Sequence, residues 1–205
     1  MPPSGAQLYA DQDGGVLVEA TIVIVLFLVF VLGSVDFLMA MYQWNAAAKA
    51  TAVGARIAAV SSPVSSDLST MTGLGGGVVP GDPMPAFTRT CTAGACTGGT
   101  YSAAAMNTIV FGRGSNACGD HTSFYNTGMC DVFWRIKPAN VVIKYESTGL
   151  GYAGRPGGPV PTITVSLQNI NFEFFFLRGL LGFGDITIPA MTTTITGEDL
   201  SSLAP

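Results

Sequence analysis

The chain has 205 residues, of which only 11% are charged, and its nine Lys and Arg against thirteen Asp and Glu give a net charge of -4. Basic residues this few and this scattered leave no electrostatic footprint for nucleic acid. The length leaves room for one modest domain besides any membrane anchor, and hardly for two.

The first fourteen residues contain no Lys or Arg and carry Asp11 and Asp13. A cleaved secretory signal needs a basic start, a shorter apolar core and a small-x-small cleavage site, so the apolar segment that follows is expected to be retained. From Val16 to Val35 the only residues that are not hydrophobic are Glu19, Thr21, Gly33 and Ser34. That run of about twenty is the length needed to cross roughly 30 Å of hydrocarbon. A carboxylate inside it is costly, about 2.5 to 3.5 kcal/mol at mid-membrane, which makes Glu19 a functional candidate; the plainer alternative is an acid snorkelling to the nearer interface.

Asp36 breaks the run, and Tyr42 and Trp44 follow where aromatic rings suit a headgroup layer. Helix propensity then continues through the alanine-rich stretch Asn45 to Val60 and fails at Ser61-Ser62-Pro63. One helix over about residues 16 to 60 is predicted, roughly 65 to 70 Å long at 1.5 Å per residue. Its small residues, Ala46, Ala47, Ala50, Gly54, Ala55, Ala58 and Ala59, either permit close approach of another element or simply reflect a stalk of high propensity.

Residues 61–90 are rich in Ser, Gly and Pro and read as a linker or loop. Cys91, Cys96, Cys118 and Cys130 follow within forty residues. An even count beyond an anchor reads as two disulfides in an exported domain, with the local pairs Cys91 with Cys96 and Cys118 with Cys130 preferred among the three pairings possible. A metal site from these cysteines and His121 is disfavoured, because Cys-x4-Cys and Cys-x2-His-x8-Cys fit the usual zinc spacings poorly. A short helix is predicted near Tyr101 to Phe111. Strands are predicted over Phe133 to Lys137 leading into Val141 to Glu146, over Thr162 to Gln168, over Phe172 to Leu177 and over Asp185 to Thr196. Alternation is clearest in Thr162-Ile163-Thr164-Val165-Ser166-Leu167. The aromatic run Phe172 to Phe176 reads as a doubly buried strand, with an interaction surface as the alternative.

Chemical motifs are weak. Gly149-Leu150-Gly151-Tyr152-Ala153-Gly154 matches a dinucleotide fingerprint in letters, but Arg155-Pro156-Gly157-Gly158-Pro159 cannot open the helix whose N-terminus would receive the pyrophosphate. The glycines at 73–77 lack the Lys-Ser/Thr of a phosphate loop. His121, the only histidine, lies almost adjacent to Asp120 and Ser123, where a nucleophile, base and acid cannot point at one another in order. We expect no enzyme activity, no cofactor and no metal.

Glu19 has a more specific setting. Scission after Gly14 would leave Gly15 as the first residue and Glu19 as the fifth, at the start of the apolar helix. This spacing resembles that of class III, type IV-like prepilins. The series Val18-Glu19-Ala20 to Leu32-Gly33, then Asp36-Phe37, Tyr42, Asn45-Ala46-Ala47, Ala50, Gly54-Ala55-Arg56 and Ala59-Val60 is similar to the TadE-like proteins of the tight-adherence (Tad/Flp) pilus. The resemblance implies an α+β, pilin-like fold, with the long transmembrane and stalk helix packed on a small antiparallel sheet. It implies a leader at 1–14, the TadE-like helix at 15–60, the loop at 61–90 and an extracytoplasmic disulfide-bearing β-rich domain at 91–205. It further implies a minor pilin or pseudopilin, cut by a prepilin peptidase between Gly14 and Gly15. Such a subunit would assemble through Glu19 with other pilin subunits into, or prime, a filament used for adhesion or secretion. The expected location is the inner membrane with the N-terminus cytoplasmic and the C-terminal domain periplasmic, then the extracellular filament. Lys49 and Arg56 beyond the span would by charge count put that end inside, whereas the cysteines argue for export. An uncleaved bitopic protein with a periplasmic binding or sensor domain is the alternative reading.

Overall fold

A computed structural model of the chain describes residues 13–120, 126–182, 184, 186–187, 189–198 and 200–201. Helix α1 spans Asp13–Ala59 without interruption. It ends where Pro63 makes a helical conformation costly for the residue before it. The carbonyls left open at that end are taken up from elsewhere in the chain: Glu198 N–H donates to Ala59 O at 3.0 Å and Arg113 Nη2 to Val60 O at 2.9 Å. Such capping is what the last turn of a helix requires.

The chain divides into two compact units, Met1–Met41 with Glu173–Asp185, and Tyr42–Phe172 with Ile186–Pro205. The second unit is built on a five-stranded antiparallel sheet of β1 (Thr88–Thr92), β2 (Ala95–Thr97), β3 (Val141–Glu146), β4 (Thr162–Leu167) and β7 (Thr192–Thr196), in the order β2-β1-β3-β4-β7. Two further short strands, β5 (Asn171–Phe172) and β6 (Ile186–Thr187), pair with each other. The register Val141↔Leu167, Ile143↔Val165 and Tyr145↔Ile163 puts all six side chains on one buried face. The opposite face carries Lys144, Glu146, Thr164 and Ser166, as the period of two demands.

Against that buried face lies the second half of α1. Gln43, Ala46, Ala47, Ala50, Thr51, Gly54, Ala55, Ala58 and Ala59 are buried and recur every three or four residues, which is one stripe of a helix. Thr51 Oγ1 meets Thr193 Oγ1 of β7 at 2.8 Å. The alanine-rich surface is therefore taken up by the chain's own domain, and small side chains let the helix come close to the sheet. The chain is α+β, a long apolar helix followed by a small antiparallel sheet domain on which its second half packs.

Helix α2 (Ala103–Phe111) starts where predicted, with Ser102 Oγ accepting from Ala105 N–H at 3.3 Å. It packs on α3 (Met129–Val132), and Ile109, Val110, Met129 and Cys130 join the core. Both local disulfides are present, Cys91–Cys96 and Cys118–Cys130. The first links two residues directly opposite each other on β1 and β2. The stretch 61–90 is irregular apart from a 3-10 turn at Ser66–Ser69 and the start of β1 at Thr88, yet it gives Val64 and Leu68 to the core. Val64 N–H donates to the buried Tyr145 hydroxyl at 3.1 Å.

Four sequence expectations are corrected. Phe133 to Lys137 is not a strand, because Phe133 closes α3 and Ile136 N–H turns back to Phe133 O. Phe172 to Leu177 is not a strand either: after Phe172 the chain turns into helix α4 (Phe176–Leu181). The aromatic run is not doubly buried, since Phe172 is buried but Phe175 is 63% exposed. The segment from 185 to 196 holds two short strands, β6 and β7, instead of one.

One ion pair outside the apolar helix yields a pH test. Asp67 accepts from Ser65 Oγ and from Arg89 Nε at 2.9 Å, tying the 3-10 turn to β1. Partial burial pushes its carboxyl up, but the Ser65 hydroxyl and the Arg89 guanidinium together outweigh this and hold it below the ordinary 3.8. A carboxylate depressed in the folded state adds stability that is present above 3.8 and is lost as pH falls through its folded value. The stability gap between the wild type and Asp67→Asn, constant near neutral pH, is expected to shrink below pH 3.8 in urea titrations. A gap that does not change with pH would contradict the pairing.

Candidate functional site

Within the first unit, α1 from residue 15 is long and apolar enough to cross a membrane, and none of its most apolar stretch is buried by the protein. Residues such as Leu17, Leu26, Phe30 and Phe37 present 63% or more of their surface. So much contiguous apolar area makes this stretch a candidate membrane span.

Four polar side chains interrupt this surface between residues 15 and 38, and they are handled differently. Thr21 Oγ1 donates to Leu17 O at 2.7 Å and Ser34 Oγ to Phe30 O at 2.8 Å, the backbone four residues earlier. A hydroxyl that bonds back to its own helix no longer asks anything of its surroundings. Asp36 is buried to 1% exposure and accepts three backbone N–H groups: Phe175 at 3.1 Å on Oδ1, and Phe176 at 2.9 Å and Leu177 at 2.7 Å on Oδ2. Those donors open α4, whose preceding residue, Phe175, offers no side-chain cap. The sequence places Asp36 at the end of the apolar run and, with Phe37, in the TadE-like series, but gives it no partner. The one hint was an unusually aromatic segment far downstream, and nothing in the letters joins the two.

Glu19 is the exception. It is exposed on the apolar helix and has no hydrogen bond or ion pair among the described residues. Gly15 lies four residues before it, one turn away on the same face. In the intact chain Gly14 and Gly15 are already inside α1, which starts at Asp13. Glycine is the weakest helix former after proline, and a first turn frays readily, so the Gly14–Gly15 peptide sits where opening the helix costs least.

The other sequence candidates do not assemble into a site. Cys91, Cys96, Cys118 and Cys130 are all in disulfides, which leaves no thiolate to hold a metal. His121 and Ser123, weighed above for metal and hydrolase chemistry, lie outside the described residues, as does the leader up to residue 12. The Gly149–Gly154 stretch forms turns with positive φ at all three glycines and opens no helix.

Residues 14–56 match the model of the TadE-like protein family. The matched segment lies wholly within α1 and includes Gly14, Glu19 and Asp36. No curated protein and no solved structure matches the chain.

Proposed function

We propose that this chain, TadE-like over residues 14–56, is a minor pilin or pseudopilin of a Tad-type pilus. It is cut between Gly14 and Gly15 by a prepilin peptidase and built into, or used to prime, a filament through its N-terminal helix. The protein acts by assembly and not by catalysis. Before assembly it sits in the inner membrane with its N-terminus cytoplasmic and its disulfide-bearing unit periplasmic, and the filament carries it outside for adhesion or secretion.

The observation that carries this reading is that Glu19 has no partner among the described residues. Thr21, Ser34 and Asp36 are each satisfied within the chain, so the apolar half of α1 is not careless about polar groups. An acid kept exposed there awaits a partner from outside, and the free amine of a neighbour's Gly15 has the matching charge. In an apolar setting an ammonium and a carboxylate offset each other's desolvation only when aligned, so the pair sets the axial register between subunits. Ser34 stands beside an open apolar groove of about 470 Å³ lined by Val29, Phe30, Phe37 and Leu38, which leaves room for another helix to approach. Tyr42 and Trp44 remain 68% and 39% exposed, as aromatic anchors at a membrane boundary would.

Gly14→Ala tests the processing step. The added methyl stabilises the helix across the scission point by about 1 kcal/mol. Uncut precursor is expected to accumulate in the membrane, read by the mass of the N-terminal peptide. Complete processing of Gly14→Ala would contradict the assignment of Gly14 as the residue preceding the cut.

A further inference from the structure

We propose that residues 173–182, carrying helix α4, are a second membrane-inserting element, seated in the interfacial layer at the Asp36 end of the span and clipped to α1 by the Asp36 carboxylate. This rests on the membrane reading of α1 given above.

The first support is the way hydrogen bonds are satisfied. The opening N–H groups of a helix have no partner within it. At an aqueous surface water or a local Ser, Thr, Asp or Asn serves them, but here the preceding residues are Glu173, Phe174 and Phe175 and no side-chain cap is present. Instead three of the donors reach an acid more than 130 residues away in sequence, itself 1% exposed. A buried carboxylate and a set of orphaned donors are each costly away from water and satisfy each other when brought together. The partial positive charge at the helix start adds to the match.

The second support is surface. Phe175 and Phe176 are 63% and 39% exposed, and the segment Phe174 to Gly182 holds a single charge, Arg178. In water such a patch invites aggregation. It is continuous with the exposed apolar surface of α1: a Cβ on Gly33 would lie 3.6 Å from Leu177 Cδ2, next to Phe30 and Phe37, which are 74% and 65% exposed. Gly33 is one turn nearer the middle of the span than Asp36, so Leu177 reaches about 5 Å inward from the acid, the depth at which interfacial helices lie. Lipid that covers Phe30 and Phe37 therefore covers Phe175 as well.

The test uses the full chain with its disulfides intact, reconstituted at low protein density in phosphatidylethanolamine–phosphatidylglycerol vesicles. A polarity-sensitive fluorophore is placed on one introduced cysteine at a time: Phe175→Cys in the segment, Leu26→Cys in mid-span and Leu150→Cys on the other unit. The probes are a lipid bearing a nitroxide near the headgroup and iodide in the water. Quenching of the Phe175 reporter by the nitroxide lipid, with loss of iodide quenching relative to Leu150, is expected. Iodide quenching at Phe175 equal to that at Leu150, with Leu26 still shielded, would overturn the clip and leave the membrane reading standing. Iodide reaching Leu26 as well would overturn the membrane reading itself. Neither quencher reaching Phe175 would assign the patch to another protein surface and overturn lipid as its occupant. Adding Asp36→Ala is expected to return iodide quenching at Phe175 while Leu26 stays shielded; unchanged lipid quenching in that variant would overturn the role of Asp36.

Discussion

Glu19→Ala is expected to yield a subunit that is made, folded and cut after Gly14, yet is missing from sheared filaments. The stability cost is small, because Glu19 makes no bond within the described residues and exposed substitutions away from special features stay within about 0.5 kcal/mol. Insertion becomes easier once the acid is gone from the apolar run, by less than the roughly 2.5 to 3.5 kcal/mol of a mid-membrane charge because Glu19 lies near its start. Assembly is where the loss falls. The amine of the neighbouring Gly15 would enter an apolar environment unmatched, and breaking a buried pair by removing one partner costs roughly 3 to 5 kcal/mol. A penalty of that order at every contact is prohibitive for a filament that must add subunits against competing release into the membrane. Glu19→Gln keeps the shape and removes the charge, and is expected to fail equally. The readout is the ratio of subunit in filaments to subunit in membranes; normal incorporation of either variant would remove the proposed role of Glu19.

Gly128→Ala is expected to cost the second unit about 3 kcal/mol or more, the upper part of the range for overpacking a rigid site. Gly128 immediately precedes α3, and a Cβ there would meet Gly112 N, Phe111 C and Val110 O, all backbone atoms of the end of α2. Backbone cannot swing aside as a flexible side chain can. Gly112 is itself tied, with φ at 92° and its N–H donating to Thr108 O at 3.0 Å, and a Cβ on it would fall on Asn126 O. The two chain segments approach so closely that both positions need glycine, one for space and the other for space and conformation. Asp131 holds the same junction, accepting from Gly128 N–H at 2.7 Å and from Gly119 N–H at 2.6 Å. For a domain of this size a loss of that order lowers Tm by roughly 6 to 12 °C. Thermal unfolding of the detergent-solubilised chain measures it, and an unchanged Tm would contradict the close approach of α2 and α3.

What was legible in the sequence follows the physics of each element. The long helix could be read because its two halves each carry a local signal, a run of apolar residues and then alanine. Strands β3 and β4 could be read from strict alternation, and the disulfide pairs from short spacing. The hairpin of β1 and β2 was missed because every strand position but Arg89 is Thr, Cys or Ala around Gly94, a composition that looks like a cysteine loop until Cys91 and Cys96 are seen opposite each other. The aromatic run at 172–177 misled because hydrophobicity says that a segment avoids water without saying where its backbone donors go. Those donors go to Asp36, a contact across some 140 residues that no local pattern encodes. Of the candidate site, Glu19 stood out in the letters as a charge in the wrong place. That it has no partner among the described residues stands out only beside Thr21, Ser34 and Asp36, which have theirs.

The most direct test is the N-terminal mass of the protein purified from its own membrane, with disulfides left intact. The proposed function predicts a mature chain beginning at Gly15, with Glu19 as its fifth residue. An intact terminus at Met1 or Pro2 would contradict it and leave an uncleaved bitopic protein in its place.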